Sequence, residues 1–224
     1  MSNIAWTYLM YAVVFLLLVL LVPPLVKRVY YSKLMKDLDE DNLILYEKHL
    51  DSFIAKVTFS AFERESMRLS LYEAKKDMKK GDELIQFMTH MRLNRKQRAQ
   101  LGERGFYFYL AQGKIKKAEH MIDLVKEFGT PAQVEPLVMQ HSILLKKEAK
   151  YIDQVKERYE KLKDQNGNIP ENNLVSAGTF EYLIGLQYSY KNDKANMKEW
   201  LEKAEIHLKG TPFESEISDL LKGR

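Results

Sequence analysis

The chain contains no cysteine. That absence removes disulfide staples, thiol nucleophiles and Cys-bound zinc together, and it fits a reducing compartment. No N-x-[ST] sequon is present, and neither is an H-E-x-x-H, a G-x-S-x-G, a Walker glycine loop or a G-x-G-x-x-G. Zinc proteolysis, acyl transfer from a nucleophile elbow, nucleotide hydrolysis and dinucleotide binding all lack the residues they need at the spacing they need. His49, His90, His120, His141 and His207 are scattered, with no two at ligand spacing on one helix face. An excess of one charge is missing as well. The 35 basic and 31 acidic side chains leave a formal +4, too slight for a nucleic-acid footprint. We therefore expect no catalytic residue, no metal, no cofactor and no nucleic-acid partner, and a binding protein in place of an enzyme.

What is present begins with an apolar run. Ile4 to Val26 carries no charged side chain and is followed at once by Lys27 and Arg28. As a helix it reaches about 34 Å, enough to cross a hydrocarbon core of about 30 Å. Pro23 and Pro24 are expected to end the regular helix near Val22, since proline lacks the N–H that a helix interior uses. Trp6 towards one end, and Lys27, Arg28, Tyr30 and Tyr31 at the other, stand where rings and cations settle at headgroup depth. A cleaved signal peptide does not fit, because no basic residue precedes the run and no A-x-A follows it. The expectation is a single-pass anchor over residues 1–28, with the lipid bilayer as a partner. The cations Lys27, Arg28, Lys33 and Lys36 place the short N-terminus outside and the C-terminal domain in the cytoplasm.

The rest of the chain has the composition of a folded domain, with 29% charged and 46% hydrophobic residues overall. After the juxtamembrane stretch, Asp37, Asp39, Glu40 and Asp41 resemble the opening of a calcium loop. The match fails where glycine and glutamate are needed, at Asn42 and Lys48. The acids are read as a cluster at the N-terminus of a helix from Leu43 to Val57, within a first segment over 29–60. Helical periodicity then continues nearly unbroken. Leu84, Ile85, Met88 and Met91, then Met121, Ile122, Val125 and Phe128, then Trp200, Leu201, Ala204 and Leu208 fall at helical spacing, and no segment alternates like a strand. Arg92, Arg95, Lys96, Arg98 and Arg104 form a basic cluster that could hold an anion, with a solvated helix start as the plainer reading.

The punctuation is informative. Gly129-Thr130-Pro131 and Gly210-Thr211-Pro212 share one grammar, a glycine stop, a threonine cap and a proline in the first helical position, with Gln133 and Glu214 placed to complete capping boxes. With the break at Asn166 to Pro170, the prolines recur about every forty residues, the range of stacked helix pairs. Finer breaks are expected at Gly81-Asp82, Gly113-Lys114, Lys150-Tyr151 and Asn192-Asp193.

Ile184, Gly185, Tyr188, Met197, Leu201 and Ala204 stand at the spacings of a tetratricopeptide repeat, and Tyr109, Gly113, Ala118, Ile122 and Val125 follow them more loosely. Over residues 61–209 the chain resembles that family, with residues 210–224 supplying a capping helix through Phe213, Ile217, Leu220 and Leu221. The fold class expected is all-α, an N-terminal transmembrane helix followed by antiparallel helix-pair repeats. The resemblance implies a concave surface that holds a protein partner, as a peptide or a helix. Its inward positions fall on Gln100, Glu103, Tyr107, Leu110 and Ala111, and on Thr179, Tyr182, Leu186, Ser189 and Tyr190. Interhelix packing is the competing use for Tyr107 and Tyr182. The function expected is an adaptor or scaffold tethered on the cytoplasmic face. The alternative is an accessory subunit of a larger membrane complex, assembled partly through its transmembrane helix.

Overall fold

The structure, a computed structural model, describes residues 3–223. Within the N-terminal helix the side chains of residues 3–5, 7–9, 12, 14, 15, 17 and 18 lie outside the described residues. The described chain is all-α, a succession of twelve α-helices with no strand among the described residues. It divides into two compact units, residues 1–97 and 98–224.

The first unit starts with α1 (Asn3–Asp39), which runs through Pro23 and Pro24 without ending at them. The proline pair removes two hydrogen bonds, yet the helix continues because its second half is fixed by packing. Leu34 is fully buried with Tyr46 and Leu50 of α2 (Leu43–Leu50), Ala55 of α3 (Phe53–Thr58), Phe59, and Met67 and Leu71 of α4 (Ala61–Ala74). Polar contacts fix the same face. The Tyr30 hydroxyl donates to the His49 carbonyl at 3.0 Å and lies 2.6 Å from Ser52 Oγ, and His49 Nδ1 is 2.6 Å from Asp37 Oδ2. The Tyr46 hydroxyl donates to the Met67 carbonyl at 3.0 Å. Lys27 reaches Glu63 at 2.6 Å, so α1 is tied to the first turn of α4.

This arrangement changes the reading of the N-terminal run. Among the described residues, no helix is long and apolar enough to cross a membrane. The single-pass assignment, with its outside N-terminus and cytoplasmic domain, is corrected accordingly. The physical difference is that the described residues 3–28 do not form a separate element ending at the prolines. They open one long helix whose second half is polar and packed. Of the residues expected at headgroup depth, Tyr30 is bonded into the packed unit and Lys27 is paired with Glu63. Trp6, Arg28 and Tyr31 are exposed.

Two further expectations in this unit are corrected. Leu43 to Val57 is two helices, because Ser52 adopts an extended backbone and its hydroxyl accepts from the Ala55 N–H at 3.2 Å, starting α3. The acids expected at a helix N-terminus instead occupy the end of α1 and its turn, Asp37 being buried against His49. The break expected at Gly81-Asp82 lies earlier. α5 (Met78–Thr89) is capped by Asp77, and Gly81 is a buried member of the face Gly81, Leu84, Ile85 and Met88.

The second unit is built from helix hairpins. α6 (Arg95–Leu110), whose first turn contains the division between the units, pairs with α7 (Ile115–Phe128). α8 (Pro131–Gln140) passes into a π-helical turn (His141–Leu145) and is followed by α9 (Ile152–Glu160). α10 (Leu174–Tyr190) pairs with α11 (Lys194–His207), and α12 (Glu214–Leu221) closes the chain. Every residue from Glu181 to Gln187 of α10 is buried, so this helix is covered all round. Its apolar side chains join Met139, Ile143, Val155, Leu201, Ala204, Leu208 and Ile217 in the principal core.

Close helix approach sits at three glycines, among them Gly178, where a Cβ would lie 2.7 Å from Leu208 Cγ and 2.9 Å from His207 Cβ. A Cβ on Gly185 would lie 2.6 Å from Leu201 Cδ2, and one on Gly102 would lie 2.6 Å from Val125 Cγ2 and 2.9 Å from the Met121 carbonyl. In the α6–α7 pair the contact therefore falls at Gly102, while Phe106 is a fully buried filler. The cap at Thr130 is as expected, the Gln133 side chain accepting from the Thr130 N–H at 3.1 Å. The one at Thr211 is not. α12 begins at Glu214, whose carboxylate accepts from the Gly210 N–H at 2.8 Å, while the Thr211 hydroxyl donates to the Leu208 carbonyl at 2.6 Å.

Candidate functional site

The turns between paired helices share one geometry. Asp41, Lys76, Gly113 and Asn192 have positive φ of 56°, 55°, 66° and 57°. Each next residue, Asn42, Asp77, Lys114 or Asp193, donates its N–H to the carbonyl five positions back at 2.8 to 3.0 Å. The carbonyls that lack a partner at the end of one helix are satisfied in this way. At three of the turns the same residue then caps the next helix, with Asn42, Asp77 and Asp193 accepting from Leu45, Lys80 and Asn196. A fifth turn, at Lys147 (φ 54°), is one residue wider because a π-helical turn precedes it, and the Glu148 N–H donates to the Ser142 carbonyl at 3.0 Å. The positive-φ residues recur at about 35-residue intervals, stretched to about 45 where the loop before α10 is inserted. Helix pairs joined by one turn at a regular interval define an all-α chain compatible with a helical-repeat fold.

Within the second unit the two sets of expected partner-binding residues fare differently. On α6, Gln100 is exposed, Glu103 and Leu110 are half-buried, and Tyr107 is 42% exposed between the buried Phe106 and Phe108; Ala111, in the turn just after the helix, is exposed. The Tyr107 hydroxyl accepts from the Gln140 side chain at 3.5 Å, so the last residue of α8 lies beside it. These residues form one open face.

On α10 the expected surface is covered. Tyr182 is 2% and Leu186 5% exposed, and the Phe213 ring at the start of α12 packs on Tyr182 at 5.3 Å between centroids. Burial, with the Glu216 carboxylate beside it, pushes the Tyr182 phenol far above its ordinary value and keeps its proton in place. Thr179 and Ser189 turn their hydroxyls back to the helix, donating to the Val175 and Leu186 carbonyls at 2.9 and 2.6 Å. Tyr190 is half-buried, with its phenol raised by burial and then by Glu216. In the last hairpin the positions that an open repeat array would present are used instead to seat α12.

The sequence reading missed the polar centre behind α10. Glu181 is fully buried; its Oε2 lies 2.8 Å from His207 Nδ1 on α11, and its Oε1 has no hydrogen-bond partner among the described residues. The Tyr159 hydroxyl of α9 faces the same carboxylate, and burial with that negative neighbour pushes the phenol far up. Glutamate inside a long helix gives no sequence signal for this. Only the burial of the residues on both sides of it, all round the helix, could have suggested it.

The residues of the basic cluster differ in their surroundings. The Arg98 guanidinium stacks over Phe128 at 5.0 Å, Arg95 and Arg104 have interactions of their own, and Arg92 and Lys96 are exposed. No group of three His, Asp or Glu side chains converges as a metal site among the described residues. His141 lies 3.2 Å from the Ile115 carbonyl and His90 2.8 Å from the Gln86 carbonyl. Comparison with protein-family models, with curated proteins and with solved structures finds no match to this chain.

Proposed function

We propose that the chain is a tetratricopeptide-like adaptor whose second unit holds a protein partner, a peptide or a helix, on the face formed by Gln100, Glu103 and Tyr107 of α6 and Ala111 just after it, with Gln140 beside them. The observation that carries this reading is Tyr107. It is a large amphipathic ring left 42% exposed in a helix whose neighbouring aromatics are buried, with an edge-on contact to Phe106 at 5.2 Å and a long hydrogen bond to Gln140. Such a ring offers much contact area at small entropy cost, which is why tyrosine is frequent among the residues that dominate binding. The recurrent hairpin geometry supports the reading, since a rigid stack of helix pairs presents its first helices side by side. Tyr182 and Leu186 belong to packing in this reading and not to the binding face. The role is that of a binding module without chemistry of its own.

The test is site-specific photocrosslinking in cells of the full chain carrying p-benzoylphenylalanine at position 107 or, as a control, at Lys126 on the exposed side of α7. A discrete adduct from position 107 that is absent from position 126 is the expected result. Adducts of equal yield from both positions, or none from 107, would remove the binding face.

A further inference from the structure

The first unit carries an exposed apolar surface that the partner-binding reading does not use. On α3, Phe53 is 79%, Ile54 51% and Val57 70% exposed, and Ile44 on α2 is more exposed still. The cations near them have no counter-charge among the described residues. Elsewhere in the unit Lys27, Lys36, Arg68, Lys75 and Lys80 each pair with a carboxylate, while Arg64, Lys76 and Lys79 do not. Lys56 on α3, Lys48 one turn from Ile44, and Arg28 and Lys33 on α1 pair with none among the described residues. The Lys33 ammonium instead lies 6.0 Å from the Tyr30 ring. Because Tyr30 is bonded to both His49 and Ser52, the stretch Val29 to Lys33 is held against the α2–α3 junction.

We infer that α3, with the cations around it, docks on an anionic lipid surface, Phe53, Ile54 and Val57 entering the headgroup layer. Three side chains on a six-residue helix are too little for a stable protein interface, which needs about 800 Å² from each partner. They suit a shallow wedge, which inserts about 5 to 10 Å below the headgroups. Unpaired lysines and an arginine beside protruding apolar side chains complement acidic headgroups and leave no charge buried without a partner. The contact is peripheral and requires no helix to cross the bilayer. It is independent of the binding face on α6, since every residue in it belongs to the first unit.

The cysteine-free chain allows a local test. Val57→Cys and, as control, the exposed Ile206→Cys in the second unit are each labelled with an environment-sensitive fluorophore in the full chain. Each is then titrated with vesicles of phosphatidylcholine and phosphatidylglycerol in equal parts. The label at 57 is expected to brighten and shift to the blue while the label at 206 does not. Lys48→Gln/Lys56→Gln is expected to move the titration midpoint about thirtyfold to higher lipid, the effect of two near-surface cations. No change at 57, a change of equal size at 206, or a response indifferent to phosphatidylglycerol would overturn the inference. A response at 57 to an added acidic protein but not to vesicles would overturn it in favour of a protein partner.

Discussion

Gly185→Ala adds one methyl group at the closest approach of α10 and α11. The new carbon would lie 2.6 and 2.7 Å from Leu201 Cδ2 and Cγ, and Leu201 is fully buried, so the side chain has no solvent to move into. Overpacking of this kind costs about 1 to 3 kcal/mol, while alanine in a helix interior returns about 1 kcal/mol relative to glycine. The net expectation is a destabilisation of about 1 kcal/mol, worth about 2 to 4 °C in a chain of this size. Urea unfolding in a Trp6→Phe background reads the second unit directly, because Trp200 is then the sole tryptophan and packs edge-on to Tyr159 at 5.4 Å. The discriminating step is a double-mutant cycle with Leu201→Ala. Alone, that change leaves a cavity and costs about 2 to 5 kcal/mol. With Gly185→Ala it is expected to cost at least about 1 kcal/mol less than the sum, because the methyl group fills part of the space vacated. Additive changes, or a Gly185→Ala protein more stable than the parent, would show that the helices do not meet at this glycine.

Tyr182→Ala is expected to destabilise the second unit by about 3 to 5 kcal/mol, as for other buried rings, while Tyr107→Ala changes urea stability by less than about 0.5 kcal/mol. The two measured side by side separate packing from surface. His207→Ala is expected to cost about 3 kcal/mol or more by leaving the Glu181 carboxylate buried without its imidazole, and Glu181→Met/His207→Leu to recover most of it; a double mutant no better than the single one would refute this. For the Lys27–Glu63 pair the sign follows from the glutamate. Burial raises its pKa, but the Lys27 ammonium and the Ser60 backbone and hydroxyl donors outweigh that and hold it below the ordinary 4.5. The pair therefore stabilises the fold above about pH 4.5 and loses its effect as pH falls through the folded value. Both side chains are substantially exposed, so Lys27→Met should cost only about 0.2 to 1 kcal/mol at neutral pH, less in about 1 M salt, and nothing near about pH 2. An equal loss at all pH values would assign the effect of Lys27 to its contact with the Phe59 ring.

The helical periods were legible in the sequence, and so was the stop at Gly129, though not the break expected at Gly81 or the cap expected at Thr211. Gly129-Thr130-Pro131 reads correctly because each residue does there what its chemistry favours. Gly185 was legible as a close contact because a glycine amid large apolar residues in a helix leaves a gap that a neighbouring side chain, here Leu201, fills. The turn at Lys76 was not, since lysine has no special tolerance for positive φ; the six-to-one hydrogen bond and the Asp77 cap impose that conformation. The burial of the positions expected to line a surface on α10 has a similar cause. Tyr182 and Leu186 occupy the positions that the repeat pattern assigns to the surface, and only the docking of α12, decided by Phe213 and Ile217 from about thirty residues away, removes them from it. At the N-terminal run, composition gave the apolar stretch but not the packing by which α1 continues past its prolines into the first unit.

The recurring turn also bears on how the chain would respond to force. Each turn closes through a bond only five or six positions apart, so much of the ordering of a hairpin is local and needs no distant segment to be in place first. Pulled open, such a hairpin should re-form as soon as the tension falls, because the turn that brings its two helices together lies within its own short stretch of sequence.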